Sequence, residues 1–303
     1  MSESARQEEQ VEKGVIKTIA PKKKHWVGNG FHVNTMFSIH SEDYYHVSPF
    51  ILMDYASPKE FSTTQMKRGV GAHPHRGFET VTFAIQGSVD HRDSTGGGGR
   101  ISSGDVQWMT AGSGIIHEEF HGEDFAKSGG TFEMVQLWVN LPRNKKMTDP
   151  KYQALLKKDQ PIFESSNKIA KIKLLAGKFS NLDSNLGPAS THTKINIYEI
   201  NFTESGNLRI DLEDGTNTVL VQLNGTSKLG GTILAEGHVA ILERGGNYLD
   251  IEGDKDSHIL VLNGDPIDEP IYQYGPFVMN TKEEIIEAFR DFEAGKMGNI
   301  HNF

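Results

Sequence analysis

At 303 residues the chain is about twice a common single-domain length and can bury a large core, so two domains are expected. It contains no cysteine, which excludes disulfides, thiolate metal ligands and a cysteine nucleophile, and fits a reducing compartment. A formal net charge of −9 argues against tight binding to a nucleic-acid backbone, whose affinity comes from Lys and Arg contacts.

The first fourteen residues, MSESARQEEQVEKG, are polar and mixed in charge. They read as a disordered leader without the apolar stretch of a signal peptide. No apolar run approaches the roughly 18–20 residues that span a bilayer, so a cytoplasmic chain is expected, with the nucleus also open for a eukaryotic source. Lys22-Lys23-Lys24 reads as a solvated strand end. Through residue 142, short apolar runs are broken by Gly, Asp, Asn and Ser. Residues 48–55 (SPFILMDY), 80–85 (TVTFAI) and 133–141 (EMVQLWVNL) are strand candidates, a pattern of sandwiches and barrels. The glycine run at 96–99 reads as a hairpin loop, since a phosphate loop would need a helix start and usually a lysine beside it. Residues 144–160 are polar, helix-compatible and flanked by Pro142 and Pro161; they form the expected connector. Strand signals resume at 172–176, 196–202, 208–212, 218–223, 238–242 and 258–262. The expected division is therefore a leader over 1–14, a first β domain over 15–145, a linker over 146–165 and a second β domain over 166–303.

The two halves echo each other. TVTFAIQG at 80–87 matches TVLVQLNG at 218–225, and GDVQWMTAG at 104–112 matches GHVAILERG at 237–245. The repeat points to duplication of one unit. The chain closes on a predicted helix, with a Thr281/Glu284 capping box, the apolar set Ile285, Phe289 and Phe292, and Gly295 as its stop.

One constellation carries chemistry. On a strand, residues two apart share a face. His73 and His75 can therefore converge, and so can His117 and Glu119. Two such pairs on neighbouring strands would place three imidazoles and one carboxylate around one ion, a donor set for Fe, Mn, Co, Ni, Cu or Zn. Pro74 lacks an N–H, so this segment is not expected to be a central, fully paired strand.

The segments GAHPHRGFETVTFAIQG at 71–87 and GDVQWMTAGSGIIHEE at 104–119 resemble the paired motifs of the cupin superfamily, and specifically the pirin family. The resemblance extends to SPFILMDY and to YGPFVMNTKEEI near the end. It implies an all-β fold of two tandem cupin barrels (double-stranded β-helix, jelly-roll type) with a C-terminal helix, and metal in the N-terminal barrel only. It implies His73, His75, His117 and Glu119 as ligands, with the cofactor one divalent ion, Fe(II) first among Fe, Mn, Ni, Co, Cu and Zn. The generic cupin pattern would use Glu79; the pirin pattern takes its carboxylate from Glu119 and leaves Glu79 a structural role. Glu118 should face away. Counting from the paired glycines places Asp211, Glu213, Asp250 and Glu252 at the matching positions of the second half. They alternate there with Leu208, Ile210, Leu212, Leu249 and Ile251, so an apolar core face and a charged solvent face are expected. His91 and His121 lie near the motif strands with no ligand role expected, and His192 has no derivable role. Some of Phe78, Phe83, Trp108, Met109, Ile115 and Ile116, close to the ligands in sequence, should line the cavity.

Similarity to pirins implies a quercetin dioxygenase-like enzyme, opening a flavonol or related phenol with O₂ and releasing carbon monoxide. Glu119 would be its base. The partners implied are a small aromatic substrate and O₂, with no nucleic acid and no membrane. The alternative is a non-enzymatic, metal-containing regulator of a transcription factor or metabolic enzyme, which needs the same four residues.

Overall fold

The computed structural model describes residues 9–179 and 186–300. Strands Phe78–Gln86 and Gly130–Asn140 are buried along most of their length, and Phe50–Phe61 over its first half, on both faces. Each must therefore pack on two sides. In each half a seven-stranded and a four-stranded antiparallel sheet face one another. The two seven-stranded sheets then stack back to back. Met53, Tyr55, Val81, Phe83 and Leu137 of the first half share one buried cluster with Ile195, Ile197, Val219, Val221 and Leu260 of the second. At about 2 kcal/mol for each fully buried aliphatic side chain, this seam is a major source of stability. Among the described residues no helix is long and apolar enough to cross a membrane.

The halves exchange their ends, which changes the expected boundaries. Val15–Ile19 pairs with Val239–Leu242 in the second seven-stranded sheet, not the first. Residues 9–14, expected as leader, are partly built in. Lys13 is 1% exposed, and its ammonium donates to the carbonyls of Thr216, Glu243 and Arg244. The first eight residues of that leader lie outside the described residues. The physical cause is an open sheet edge at Val239–Leu242, whose unpaired backbone groups need a partner wherever it comes from in the chain.

The connector is not helical. It holds a 3₁₀ turn at Arg143–Lys145, a strand at Lys151–Leu155 that closes an edge of the first sheet against Val106–Thr110, a second 3₁₀ turn at Lys157–Asp159, and a strand at Ile162–Glu164 paired within the second sheet. Pro150 interrupts any helix there, and the segment has no apolar stripe to bury.

The terminal helix, Lys282–Glu293, forms with both bonds of its predicted capping box. It follows a hairpin of Tyr272–Tyr274 and Phe277–Met279, and both pack on the first barrel. The Val278 N–H donates to the Arg76 carbonyl (3.0 Å), and the buried Arg76 guanidinium donates to Asp291 in the helix (3.0 Å). Phe277, Met279, Ile285 and Ala288 bury with Ile116. Gly77 lies at φ +88, and a Cβ there would stand 1.9 Å from the Val278 carbonyl, so both backbone conformation and space demand glycine.

Lys146 fastens this clasp. It is 1% exposed, and its ammonium donates to the carbonyls of Gly77 (2.8 Å) and Val278 (3.0 Å) and to Asn140 Oδ1 (2.8 Å). Lys146→Met would strand three buried acceptors. It is expected to lower unfolding free energy by at least ~2 kcal/mol, read from the denaturant midpoint at constant slope. An unchanged midpoint would mean that water replaces the ammonium and that the clasp does not depend on it.

Candidate metal centre

Strand Ile115–His121 runs between Gly69–His75 and Ser88–Asp93 in the first four-stranded sheet. Its burial alternates: Ile115, His117, Glu119 and His121 are buried, and Ile116, Glu118 and Phe120 are half-buried. The buried set faces the barrel interior. His117 is in register with His73 on one neighbour, and Glu119 with His91 on the other. Gly69–His75 is an edge strand, as Pro74 permits.

These registers bring His73, His75 and His117 together. Ring centroids are 4.2 Å apart for His73 and His117, 4.9 Å for His75 and His117, and 4.8 Å for His73 and His75. One ligand nitrogen from each of the three lies within 4.8 Å of the others. Glu119 does not complete that group. It forms a second one, on the same 4.8 Å criterion, with His91 and His117. Its Oε1 accepts from Gln107 Nε2 (2.9 Å) and lies 3.3 Å from Thr82 Oγ1, whose single proton has a nearer acceptor in Gln136 Oε1 (2.8 Å). His117 is common to both groups.

Backbone carbonyls orient the outer two rings. His73 Nδ1 lies 2.8 Å from the Gly71 oxygen and His75 Nδ1 3.2 Å from that of Pro276, an arrangement that places the proton on Nδ1 and leaves Nε2 as the lone-pair donor. The terminal clasp thus orients one imidazole of the cluster. His117 Nε2 is buried without a hydrogen-bond partner. Burial, then the neighbouring His73, lowers the His75 pKa to about 3; burial and the surrounding imidazoles hold His117 well below its usual value. Neutral imidazoles with inward lone pairs, one of them unsatisfied, beside a carboxylate, fit a first-row divalent ion.

Other acidic and histidine side chains take different places. Glu79 is fully buried and raised by burial to a pKa of about 7, but it occupies the opposite face of its strand from Thr82 and accepts from Thr110 (2.7 Å). Strand alternation keeps it from the imidazoles. Glu118 pairs with Arg92 outside the barrel. His121 stacks on Phe132 and contacts the Gly30 oxygen (2.9 Å). In the second barrel, Leu208, Ile210, Leu212, Leu249 and Ile251 fill the interior. Glu213, Asp250 and Glu252 pair outside with Lys194, Arg209 and Lys228.

Two neighbours went unanticipated. His91 is 2% exposed, stacks on Tyr152, and bridges Asp93 (3.2 Å) to Gln107 (3.1 Å). A Cβ on Gly97 would lie 2.6 Å from the Asp93 carboxylate, so the glycine run makes room for this pair. The alternation His91, Asp93 was a visible signal; nothing local marked Gln107.

A cavity of about 230 Å³ opens beside the cluster, lined by His73, His75 and Glu119 with Val27, Phe31, Leu52, Val70, Met134 and Trp138. None of the six apolar residues expected from the motifs lines it. Phe83 and Trp108 face the inter-barrel seam, Met109 and Ile115 form a small core of their own, Ile116 packs on the clasp, and Phe78 stacks behind His75 on Trp138. The walls come instead from strands distant in sequence.

The depressed histidines set a pH dependence. The unfolded chain takes up protons below about pH 6.5, while the folded His75 waits until about pH 3 and His117 stays neutral well below its usual value. Stability of the metal-free protein should therefore fall as pH drops through that window. Thermal melts at several pH values check this, and His117→Phe is expected to flatten the slope.

The pirin family profile matches residues 30–139, and the profile for the pirin C-terminal cupin domain matches residues 197–298. A Pseudomonas aeruginosa protein named "putative quercetin 2,3-dioxygenase" is 48% identical over 92% of this chain and 96% of its own length. A tomato (Solanum lycopersicum) pirin-like protein is 35% identical over 86% of each. A crystal structure of quercetin 2,3-dioxygenase from Acinetobacter baumannii superposes with a TM-score of 0.90 at 46% identity, covering 96% of this chain and 100% of the other. With two cupin-type barrels, and a histidine cluster in the first, this chain belongs to the pirin family.

Proposed function

We propose that this protein is a metal-dependent dioxygenase that opens the ring of a flavonol or a related phenol with O₂ and releases carbon monoxide. The observation that carries the reading is the convergence of neutral imidazoles and a carboxylate on a largely apolar cavity. The relatives named as quercetin dioxygenases support the same reaction class. His73, His75, His117 and Glu119 would hold the ion, with Fe(II) the first expectation. Such an ion, when bound, acidifies a hydroxyl placed against it and supplies a redox-active centre for O₂ chemistry.

The chain's own residues do the rest. Val27, Phe31, Leu52, Met134 and Trp138 exclude water and favour a flat aromatic ligand. Carbonyl contacts from Gly71 and Pro276 keep His73 and His75 in the donor tautomer. Glu119 is the base. Gln107 occupies Oε1, with the Thr82 hydroxyl 3.3 Å away, so Oε2 is the oxygen left to face the ion and, when released from it, to take the proton of the substrate hydroxyl. Gln107 is itself held by the His91–Asp93 pair, which fixes the carboxylate's position.

Glu119→Gln keeps the shape and removes the base. It should retain part of the bound metal while kcat for flavonol-dependent O₂ uptake drops by about 100-fold or more. Unchanged turnover would sink the base role. A wild-type protein that holds metal yet shows neither O₂ uptake nor carbon monoxide release with any flavonol would overturn the dioxygenase reading in favour of a regulatory one.

A further inference from the structure

The inner face of the first seven-stranded sheet carries one polar row. Thr35 is in register with Asp54, Asp54 with Gln136, Gln136 with Thr82, and Thr82 with Gln107, across five adjacent strands. Along their strands most of the same-face neighbours, Val33, Leu52, Ala56, Met134 and Ala84, are apolar, with Thr80 and Asp105 the polar exceptions. A polar belt inside an apolar barrel is costly unless each group has a partner. Most of it is accounted for. Gln107 holds Glu119, Thr82 directs its one hydroxyl proton to Gln136 (2.8 Å) or, at longer range, to Glu119 (3.3 Å), and Thr35 donates to Asp54 Oδ1 (2.6 Å). Asp54 Oδ2 is left over. Among the described residues it has no hydrogen-bond donor, and no cation forms an ion pair with Asp54. The side chain lines the cavity two strand spacings, roughly 10 Å, from Thr82, on the wall away from Glu119. Asp54 is half-buried, and burial raises its pKa against the opposing effects of Thr35 and of His25 nearby, so the free oxygen is open to the cavity and can accept from a ligand hydroxyl there.

We propose that Asp54 is the second polar anchor of the cavity, accepting a hydrogen bond from a hydroxyl on the end of an aromatic ligand remote from the imidazoles. Its role is positioning and selection. The cluster takes one end of the ligand, the apolar walls take its rings, and Asp54 discriminates between ligands that carry a distal hydroxyl and those that do not. A site built to pair a hydroxyl rejects an analogue lacking it far more strongly than an apolar wall does.

This inference rests on the flavonol reading, and binding separates the two. Protein loaded with redox-inert Zn(II) is titrated, by intrinsic fluorescence and calorimetry, with a flavonol whose pendant ring carries two hydroxyls and with one whose pendant ring is bare. Wild type should bind the hydroxylated ligand at least ~10-fold more tightly, the range of a hydrogen bond to a charged group. Asp54→Leu should erase that preference while leaving affinity for the bare ligand within about 2-fold. Asp54→Asn keeps size and one acceptor, should reduce the preference several-fold, and serves if the leucine variant does not fold. Binding of both flavonols with no preference in wild type, or an undiminished preference in both variants, overturns the anchor alone. Failure of wild type to bind either flavonol overturns the flavonol reading and the anchor together.

Discussion

The stacking of the two seven-stranded sheets is the constraint from which the rest follows. It commits one face of the central strands in those sheets to the seam: Val81 and Phe83 on one strand, Val135 and Leu137 on the next, Met53 and Tyr55 on the third. Because side chains alternate, the opposite face of each strand is then fixed to the barrel interior. A shift of one residue would send Thr82 and Gln107 into the seam and Val81 and Val106 toward Glu119. The large apolar contact therefore does more than stabilise. It sets the register that aims the polar belt.

That division of labour explains why two barrels of like architecture differ inside. The second barrel fills its interior with leucine and isoleucine and turns its acids outward into exposed ion pairs. Such pairs contribute little to stability. The first barrel spends its interior on imidazoles, a carboxylate, amides and hydroxyls, each of which costs desolvation and all but a few of which are paired. The barrel's own apolar cluster around Phe31, Val89, Ile101 and Phe132 offsets part of that cost, and the shared seam adds to it. The barrels are therefore not independent modules. One carries the polar centre, and the other backs it.

The exchanged ends tie the arrangement together. The N-terminal strand closes an edge of the second barrel, and the C-terminal hairpin and helix close over the first. Pro276 touches His75, Val278 touches Arg76, and Asp291 holds the Arg76 guanidinium. The orientation of an imidazole encoded at position 75 thus depends on a segment some two hundred residues later. Damage to the terminal helix would be felt at the centre before it was felt in the barrel that precedes it in sequence.

Much of this was legible in the chain itself, and the reason is periodicity. Two-residue alternation marked the strands and paired His73 with His75 and His117 with Glu119. It also separated apolar from charged faces in the second half, and the Thr281/Glu284 pair marked the last helix. All of these are local patterns, decided within a strand or a turn. Which strand lies beside which is not local. Only the tertiary structure placed residues 15–19 in the second barrel, converted the connector into edge strands, set the clasp on His75, joined His91 and Gln107 behind Glu119, and set Asp54 in the cavity wall. Open edges and apolar faces are satisfied by whatever segment the closed fold brings to them, so those neighbours follow from sheet register and not from distance along the chain.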